Sequence, residues 1–435
     1  MTYNPTYLSD FPIKTLRETP SYADTPGYQY LIRAGFVRPA SAGIFTLLPF
    51  GMKVISKIET IVREEIEAIG GVEVLFPALL PKEPFETTGR WEEFGESMFK
   101  LRDRKLSDYL LAPTHEEMFT LLGQEMFHSY QDFPAILYQI QTKYRDELRP
   151  RAGLIRGREF IMKDSYSFDL DANGLDVSYQ KHRQAYQKIF NRLGFDYVIV
   201  SAQSGAMGGS KSEEFFTVSP IGEDTFISTP SGFASNVEAF ETYDGRPAID
   251  PKTGELLIKD GDLAKNGEPI TLHRGIELAH IFQLGQKYAR AYNWTVQNQN
   301  SERITPTMGS YGIGISRILA TFAELFHDEK GLIWSTALSP YDFQIIQAIS
   351  NDKVKETSFE IVKQLAKRGY SFLIDDRAIS AGVKFKDAEL IGVPQTIVLG
   401  NLIKEHKIEL KHRATGSIET LTLDQLYSKF LLAGS

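Results

Sequence analysis

The sequence predicts a mixed α/β protein: a large α+β unit followed by a smaller α/β domain. Three observations carry that expectation. From Pro340 onward, apolar runs of strand length (YDFQIIQAI, YSFLIDD, QTIVLG) alternate with two helical patterns, as in an α/β domain of about a hundred residues. Between Tyr144 and Phe168 the chain reads YRDELRPRAGLIRGREFIMKDSYSF, a strand, a charged loop and a returning strand. The 435 residues, 42% hydrophobic and 24% charged, supply a large core and by length suggest roughly two to four domains.

Composition removes several classes of function. There is no cysteine, which excludes disulfides and cysteine–zinc sites and fits a reducing compartment such as the cytoplasm. No apolar run reaches the length of a membrane span, and MTYNPTYLSDFPIK lacks the basic-then-apolar order of a signal peptide. A net charge of -8 gives no whole-chain support for nucleic-acid binding, so a polyanion would be met by local patches.

Taken in order, residues 15–50 are rich in turn signals around YQYLIRAGFVRPASAGIFTLLP, a short helix followed by short strands. Gly51 to Ile69 is an amphipathic helix, with Val54, Ile58, Ile61, Val62, Ile66 and Ile69 at helical spacing, and Gly70–Gly71 ends it. VEVLFPALLP then reads as a strand holding Pro77, and proline in a strand belongs at an edge or a special contact. Plain packing and a dimer element fit this helix and strand equally well.

The strand Tyr109–Ala112 delivers Pro113, Thr114, His115, Glu116 and Glu117 to the start of a helix running from Met118 to Ser129. Spacing alone makes Thr114 an N-cap, with Glu117 completing a capping box. In the charged hairpin, Arg145 and Glu147 share a strand face, as do Phe160, Met162 and Asp164 on the return. Arg149, Arg151, Arg156 and Arg158 lie between them. Guanidinium forks suit phosphate oxygens, while the bland alternative is a solvated charged face.

Val177–Leu193 reads as a helix, Phe195–Ala202 as a strand, and 204–218 as a glycine turn and strand. Residues 240–269, full of DG, TG and NG turns, read as a small surface insertion. GIELAHIFQLGQKYA is a buried strand entering a helix, and its His280 and Gln283 are either satisfied core groups or face a ligand. MGSYGIGISRILATFA is a glycine-rich strand and turn entering a helix. Gly309, Gly312 and Gly314 allow close backbone approach, and Arg317 adds charge near a helix start. After Pro340 a final hairpin, KIELKHR and IETLTL, precedes a C-terminal helix.

These stretches together resemble the bacterial-type prolyl-tRNA synthetases, members of the class II aminoacyl-tRNA synthetases. The helix and strand ending near Pro77 resemble motif 1, YRDELRPRAGLIRGREFIMKDSYSF motif 2, and MGSYGIGISRILA motif 3. PTHEE matches the family's Thr-x-Glu loop and AHIFQLG its GHIFQLG, while LIDDR and VKFKDAELIGVPQTIVLG resemble its anticodon-binding domain. The likeness covers nearly the whole chain. It implies a catalytic domain over 1–337, built on an antiparallel sheet flanked by helices, and an anticodon-binding domain over 338–435.

The resemblance further implies ligation of L-proline to tRNA(Pro) through a prolyl-adenylate, with ATP and Mg2+ and without a protein nucleophile. Arg145 would hold the α-phosphate and the substrate carboxylate, and Arg317 the γ-phosphate. Glu147 would accept from the adenine amino group and Phe160 would stack on the ring, with Arg156, Gln283, Gly312 and Gly314 completing the ATP site. Thr114, Glu116 and His280 would receive proline, and Arg149 would approach the tRNA acceptor end. A homodimer through Gly51 to Pro81 is expected. The common bacterial form carries a large editing domain between motifs 2 and 3; the short 240–269 segment stands there, so hydrolysis of misacylated tRNA is not expected. Two other functions compete: an RNA-binding regulator without catalysis, which should lack the ATP arginines, and ligation to a carrier protein, which should lack the anticodon domain.

Overall fold

The computed structural model describes residues 5–203 and 205–431. By internal contacts the chain forms two compact units. One comprises Ser41–Ile44 and Ile58–Ile318; the other comprises the chain up to Ala40, Phe45–Lys57 and the chain from Leu319.

The amphipathic pattern after Gly51 becomes helix α1, Pro49–Glu67. Its apolar residues Val54, Ile58, Val62 and Ile66 are fully buried, each removal from water being worth about 1.5–3 kcal/mol. The strand expected over 72–81 is broken. Val72–Glu73 pairs with Leu137–Tyr138, and Leu79–Pro81 pairs with Tyr109–Leu111. Pro77, between them, has no N–H for a ladder; its carbonyl accepts from His115 Nε2 at 3.0 Å.

The centre of the first unit is a set of long antiparallel strands: β1 (Ala135–Tyr144), β2 (Glu159–Asp169), β3 (Lys211–Val218), β4 (Thr271–Gly285) and β5 (Thr307–Gly314). They lie in a nine-stranded sheet of the described residues, with β4, β5, β2 and β1 adjacent in that order. Registers place His280 opposite Gly312, Ser310 opposite Tyr166, and Gly312 opposite Asp164. Because side chains alternate along a strand, positions 162, 164, 166, 280, 282, 310, 312 and 314 share one face.

The other face is covered by a long helix, Ala172–Leu193, five residues earlier in its start than the pattern suggested. Asp171 caps it by accepting from the Gly174 N–H, and Gly194 closes it at φ 83. Its Tyr179, Tyr186, Ile189 and Phe190 are fully buried. Gly309 is needed here: a Cβ would collide with the Tyr311 hydroxyl and approach Ser167 Oγ to 2.9 Å.

The 240–269 segment is more than a surface excursion. Phe240, Ala248, Ile258 and Ala264 form a small buried cluster with Ile227, Val237 and Ile270. Bridges such as Thr242 to Ala264 and Ile249 to Leu256 tie its turns together. Few but well-spaced apolar residues suffice because turns bring them together.

The second unit contains a six-stranded sheet. Phe343–Gln347, Phe372–Asp375 and Gln395–Leu399 run parallel, and the expected hairpin adds Lys407–His412 and Ile418–Thr422. Thr6–Tyr7 pairs in parallel with Leu373–Ile374 at one edge. Helices Asp352–Leu365 and Leu423–Leu431 bury Ile361, Leu365 and Leu426 against Ile345, Ile374 and Ile397.

Candidate active site

The shared face of β2, β4 and β5 lines a cavity of about 440 Å³. Ten of the candidate site residues named from the sequence line it: Thr114, Glu116, Arg145, Glu147, Arg156, Phe160, His280, Gly312, Gly314 and Arg317.

Arg145 lies one residue beyond the end of β1, so it and Glu147 sit on the departing loop rather than on a strand face. Its guanidinium is 5.3 Å from the centre of the Phe160 ring, and its Nε is buried without a hydrogen-bond partner. Burial, and then the nearby Arg317, push its pKa down. A cation held this way is poised for an anion.

Arg317 stands in the first turn of the helix Ile315–Leu325, which follows β5 with no intervening turn. It donates through Nη1 to Glu277 Oε2 at 2.9 Å and through Nε to the Ile155 carbonyl at 3.0 Å. Burial alone would raise the Glu277 pKa; His280 and Arg317 overcome it and hold the carboxyl well below its usual range. His280 Nδ1 lies 3.2 Å from Glu277 Oε1 and 3.4 Å from Glu214 Oε1. Burial and Glu277 push the Glu214 carboxyl up to about 7.

Thr114 does not cap the following helix. His115 occupies the N-cap position of Glu116–Met126 without a side-chain bond, and the Thr114 hydroxyl donates to Glu116 Oε2. Glu116 Oε1 accepts from Ser310 Oγ at 3.0 Å. Beneath them, His115 Nδ1 meets Lys143 Nζ at 2.7 Å, and Lys143 lies 2.8 Å from Asp164 Oδ1. Burial, then Lys143, lower the His115 pKa to about 4, so the ring is neutral at pH 7.

In the charged loop, Arg156 pairs with Glu147 at 2.9 Å and with Glu223 at 2.7 Å. Arg149 is exposed beside Leu148, which is 86% exposed. Gly312 faces the cavity with nothing nearer to an added Cβ than Met162 Sδ at 3.7 Å.

Gln283 is not brought to the cavity. It pairs with Gly309, one position out of step with His280 and Phe282, and its Nε2 donates to Asp176 on the helix behind the sheet at 2.9 Å. Ser310 and Arg90 escaped the sequence reading. The two-residue spacing of Ser310 from Gly312 and Gly314 could have revealed it; Arg90, in TTGRWEEFG, carries no such signal.

Residues 99–326 match the family model "tRNA synthetase class II core domain (G, H, P, S and T)", and residues 343–431 match "Anticodon binding domain". The chain is 40% identical to a proline–tRNA ligase of Kineococcus radiotolerans over 579 aligned positions, covering 98% of this chain and 99% of the relative. It is 40% identical to the proline–tRNA ligase of Nocardioides sp., covering 98% of each. The alignments are longer than the 435-residue chain, so a long stretch of these relatives has no counterpart here. Among solved structures, prolyl-tRNA synthetase from Cryptosporidium parvum complexed with halofuginone and AMPPNP superposes with a TM-score of 0.75 at 17% identity, over 96% of this chain and 78% of that one. That likeness is one of fold.

The sheet, the cavity on its face and the matched core define a class II aminoacyl-tRNA synthetase, an ATP-using ligase. Within that class, the chain belongs to the proline–tRNA ligase family.

Proposed function

We propose that this protein joins L-proline to tRNA(Pro) in two steps within the cavity. A proline carboxylate oxygen attacks the α-phosphorus of ATP, the bond to pyrophosphate breaks, and prolyl-adenylate forms. A ribose hydroxyl at the tRNA terminus then attacks the prolyl carbonyl and AMP leaves. One observation carries this reading: two guanidiniums from distant parts of the chain, Arg145 and Arg317, line the same cavity as the Thr114–Glu116 pair.

Arg145 neutralises charge at the reacting phosphate and the amino-acid carboxylate, and Arg317 holds the far phosphate. Phe160 offers its ring to adenine and Glu147 an acceptor to its amino group, while Arg156 steadies Glu147. Gly312 and Gly314 present backbone to the nucleotide. Thr114 and Glu116 accept the ammonium of proline near His280. Mg2+ favours oxygen ligands, and the Glu214 and Glu277 carboxylates, whose ligand atoms cluster with His280 within 4.8 Å, fit such an ion. It would supply positive charge between phosphates.

Arg149, at the exposed loop, would meet the tRNA acceptor end. The domain over 338–435, whose 343–431 matches an anticodon-binding model, would read unpaired anticodon bases. The domain over 1–337 would carry the chemistry. A homodimer through Gly51 to Pro81 is supported by Val72, Leu75 and Leu79, exposed by 58%, 73% and 52%. Sedimentation would return twice 49.1 kDa, and a monomer at working concentration would sink this part. No helix of the described residues is long and apolar enough to cross a membrane; a chain with no cysteine suits the reducing cytoplasm.

The deciding experiment is ATP–pyrophosphate exchange with each of the twenty amino acids. Exchange with proline, and far weaker exchange with the rest, is expected. No exchange with any of them would favour an RNA-binding regulator instead.

A further inference from the structure

Behind the Thr114–Glu116 pair lies a guanidinium that the reaction does not itself require. Arg90 is 1% exposed. Its Nη1 donates to Glu116 Oε2 at 2.9 Å and to Glu117 Oε2 at 2.9 Å. Its Nη2 points to Met207 Sδ at 3.4 Å, and its charged carbon lies 4.8 Å from the centre of the Phe94 ring. Phe94, Met207 and Glu116 all line the cavity. One buried side chain therefore touches the acid and two apolar walls of the same pocket.

We propose that Arg90 is a positioning residue for the amino acid: it fixes the Glu116 carboxylate and the Met207 and Phe94 walls in the geometry that receives the ammonium and the ring of proline. The inference rests on the proposed proline-activating function.

Counting hydrogen bonds supports the assignment. An ionised carboxylate offers about four acceptor sites. Arg90, Thr114 and Ser310 fill three on Glu116, so its carboxylate is held from three directions. The charge balance agrees. Burial works against ionisation of both acids. For Glu116, Arg90 and the Thr114 hydroxyl outweigh burial and hold the carboxyl below its usual range. For Glu117, burial prevails over Arg90, and the neighbouring Glu116 adds to the rise. Arg90 is shared between the two acids: Nη1 donates to Glu116 Oε2 at 2.9 Å and to Glu117 Oε1 and Oε2 at 3.1 and 2.9 Å. Removing one partner of such a buried pair leaves an unpaired charge, which is far costlier than the pair's net worth. Lysine does not reproduce Arg90: its one ammonium lacks the second nitrogen of the planar fork, which reaches the Met207 thioether while Nη1 meets both carboxylates.

The test is steady-state exchange with Arg90→Lys, alone and combined with Glu116→Gln. Wild-type protein must first exchange with proline; if it does not, the underlying function fails, and this inference with it. Given wild-type exchange, Arg90→Lys should raise KM for proline about tenfold or more while KM for ATP stays within about twofold. On the Glu116→Gln background the same change should add less than about twofold, because Arg90 acts through that carboxylate. Unchanged KM for proline, an equal rise in both KM values, or full additivity would overturn the proposal. If Arg90→Lys does not fold, Glu117→Gln decides. The amide still accepts from Thr88, whose hydroxyl donates to Glu117 Oε1 at 2.8 Å, but it anchors the guanidinium less firmly. KM for proline should then rise about threefold with KM for ATP unchanged; an unchanged KM for proline overturns the inference.

Discussion

The Arg317 guanidinium and the Glu277 carboxylate form a 2.9 Å ion pair, and the same Nη1 also donates to the Glu277 carbonyl at 2.8 Å. The acid on β4 thereby aims the arginine that follows β5. With its remaining N–H groups, Arg317 can meet a phosphate without first being ordered.

Glu277→Gln should therefore weaken nucleotide binding more than amino-acid binding. Losing the charged acceptor frees the guanidinium to rotate, and one potential Mg2+ ligand goes with it. KM for ATP in pyrophosphate exchange should rise about tenfold, with KM for proline changing much less. Equal effects on both would mean that Glu277 acts on the whole cavity rather than on Arg317.

Arg145→Ala should abolish proline-dependent exchange, by more than about a thousandfold. Stability should hardly fall, because the Nε has no acceptor to leave behind. Exchange assays beside thermal melts separate the two effects. A folded variant with wild-type exchange would defeat the proposed mechanism.

His115 gives a pH signature to folding. Its folded pKa of about 4 lies below its usual 6.5, so between pH 6.5 and 4 the unfolded chain binds a proton that the folded one refuses. Stability is complete above pH 6.5 and is lost as pH falls through that window, by about 3 kcal/mol at most. Melting of His115→Gln should fall less steeply between pH 6.5 and 4.5 than that of wild type. Parallel curves would place the acid sensitivity elsewhere.

Much of this arrangement was legible in the residues. Apolar periodicity located the long helix after Gly51 and the alternating C-terminal domain. Strand parity explains where these residues lie: Gly312, Gly314 and His280 fall on the cavity face, whereas Gln283 is one position out of step and turns to Asp176. The sequence carries no information about which of two faces a lone glutamine takes until the register with β5 is known. Thr114 shows a different limit. Its spacing from Glu117 is that of a capping box, yet the nearer Glu116 captures the hydroxyl. Arg90 was hidden because its partners are 26 and 27 residues away in sequence, and nothing local marks a charge for burial.

Alanine is smaller than proline and can enter a pocket shaped for the ring, where a missing methylene costs only about 1–3 kcal/mol. The lobe formed around Phe240 and Ile258 is small. The purified protein should leave alanyl-tRNA(Pro) intact over times in which an editing enzyme clears it. Rapid release of alanine from that tRNA would show that this chain carries a hydrolytic site of its own.

Gly309 and Gly312 lie three residues apart on β5 and guard different properties. At Gly309 a methyl group has nowhere to go, so variants there would be removed by misfolding before their chemistry mattered. At Gly312 the same methyl projects into open cavity, so the fold would survive while the room for substrate shrinks. A substitution at Gly312 would therefore escape quality control that recognises only unfolded chains, and selection would have to act on what the narrower cavity does.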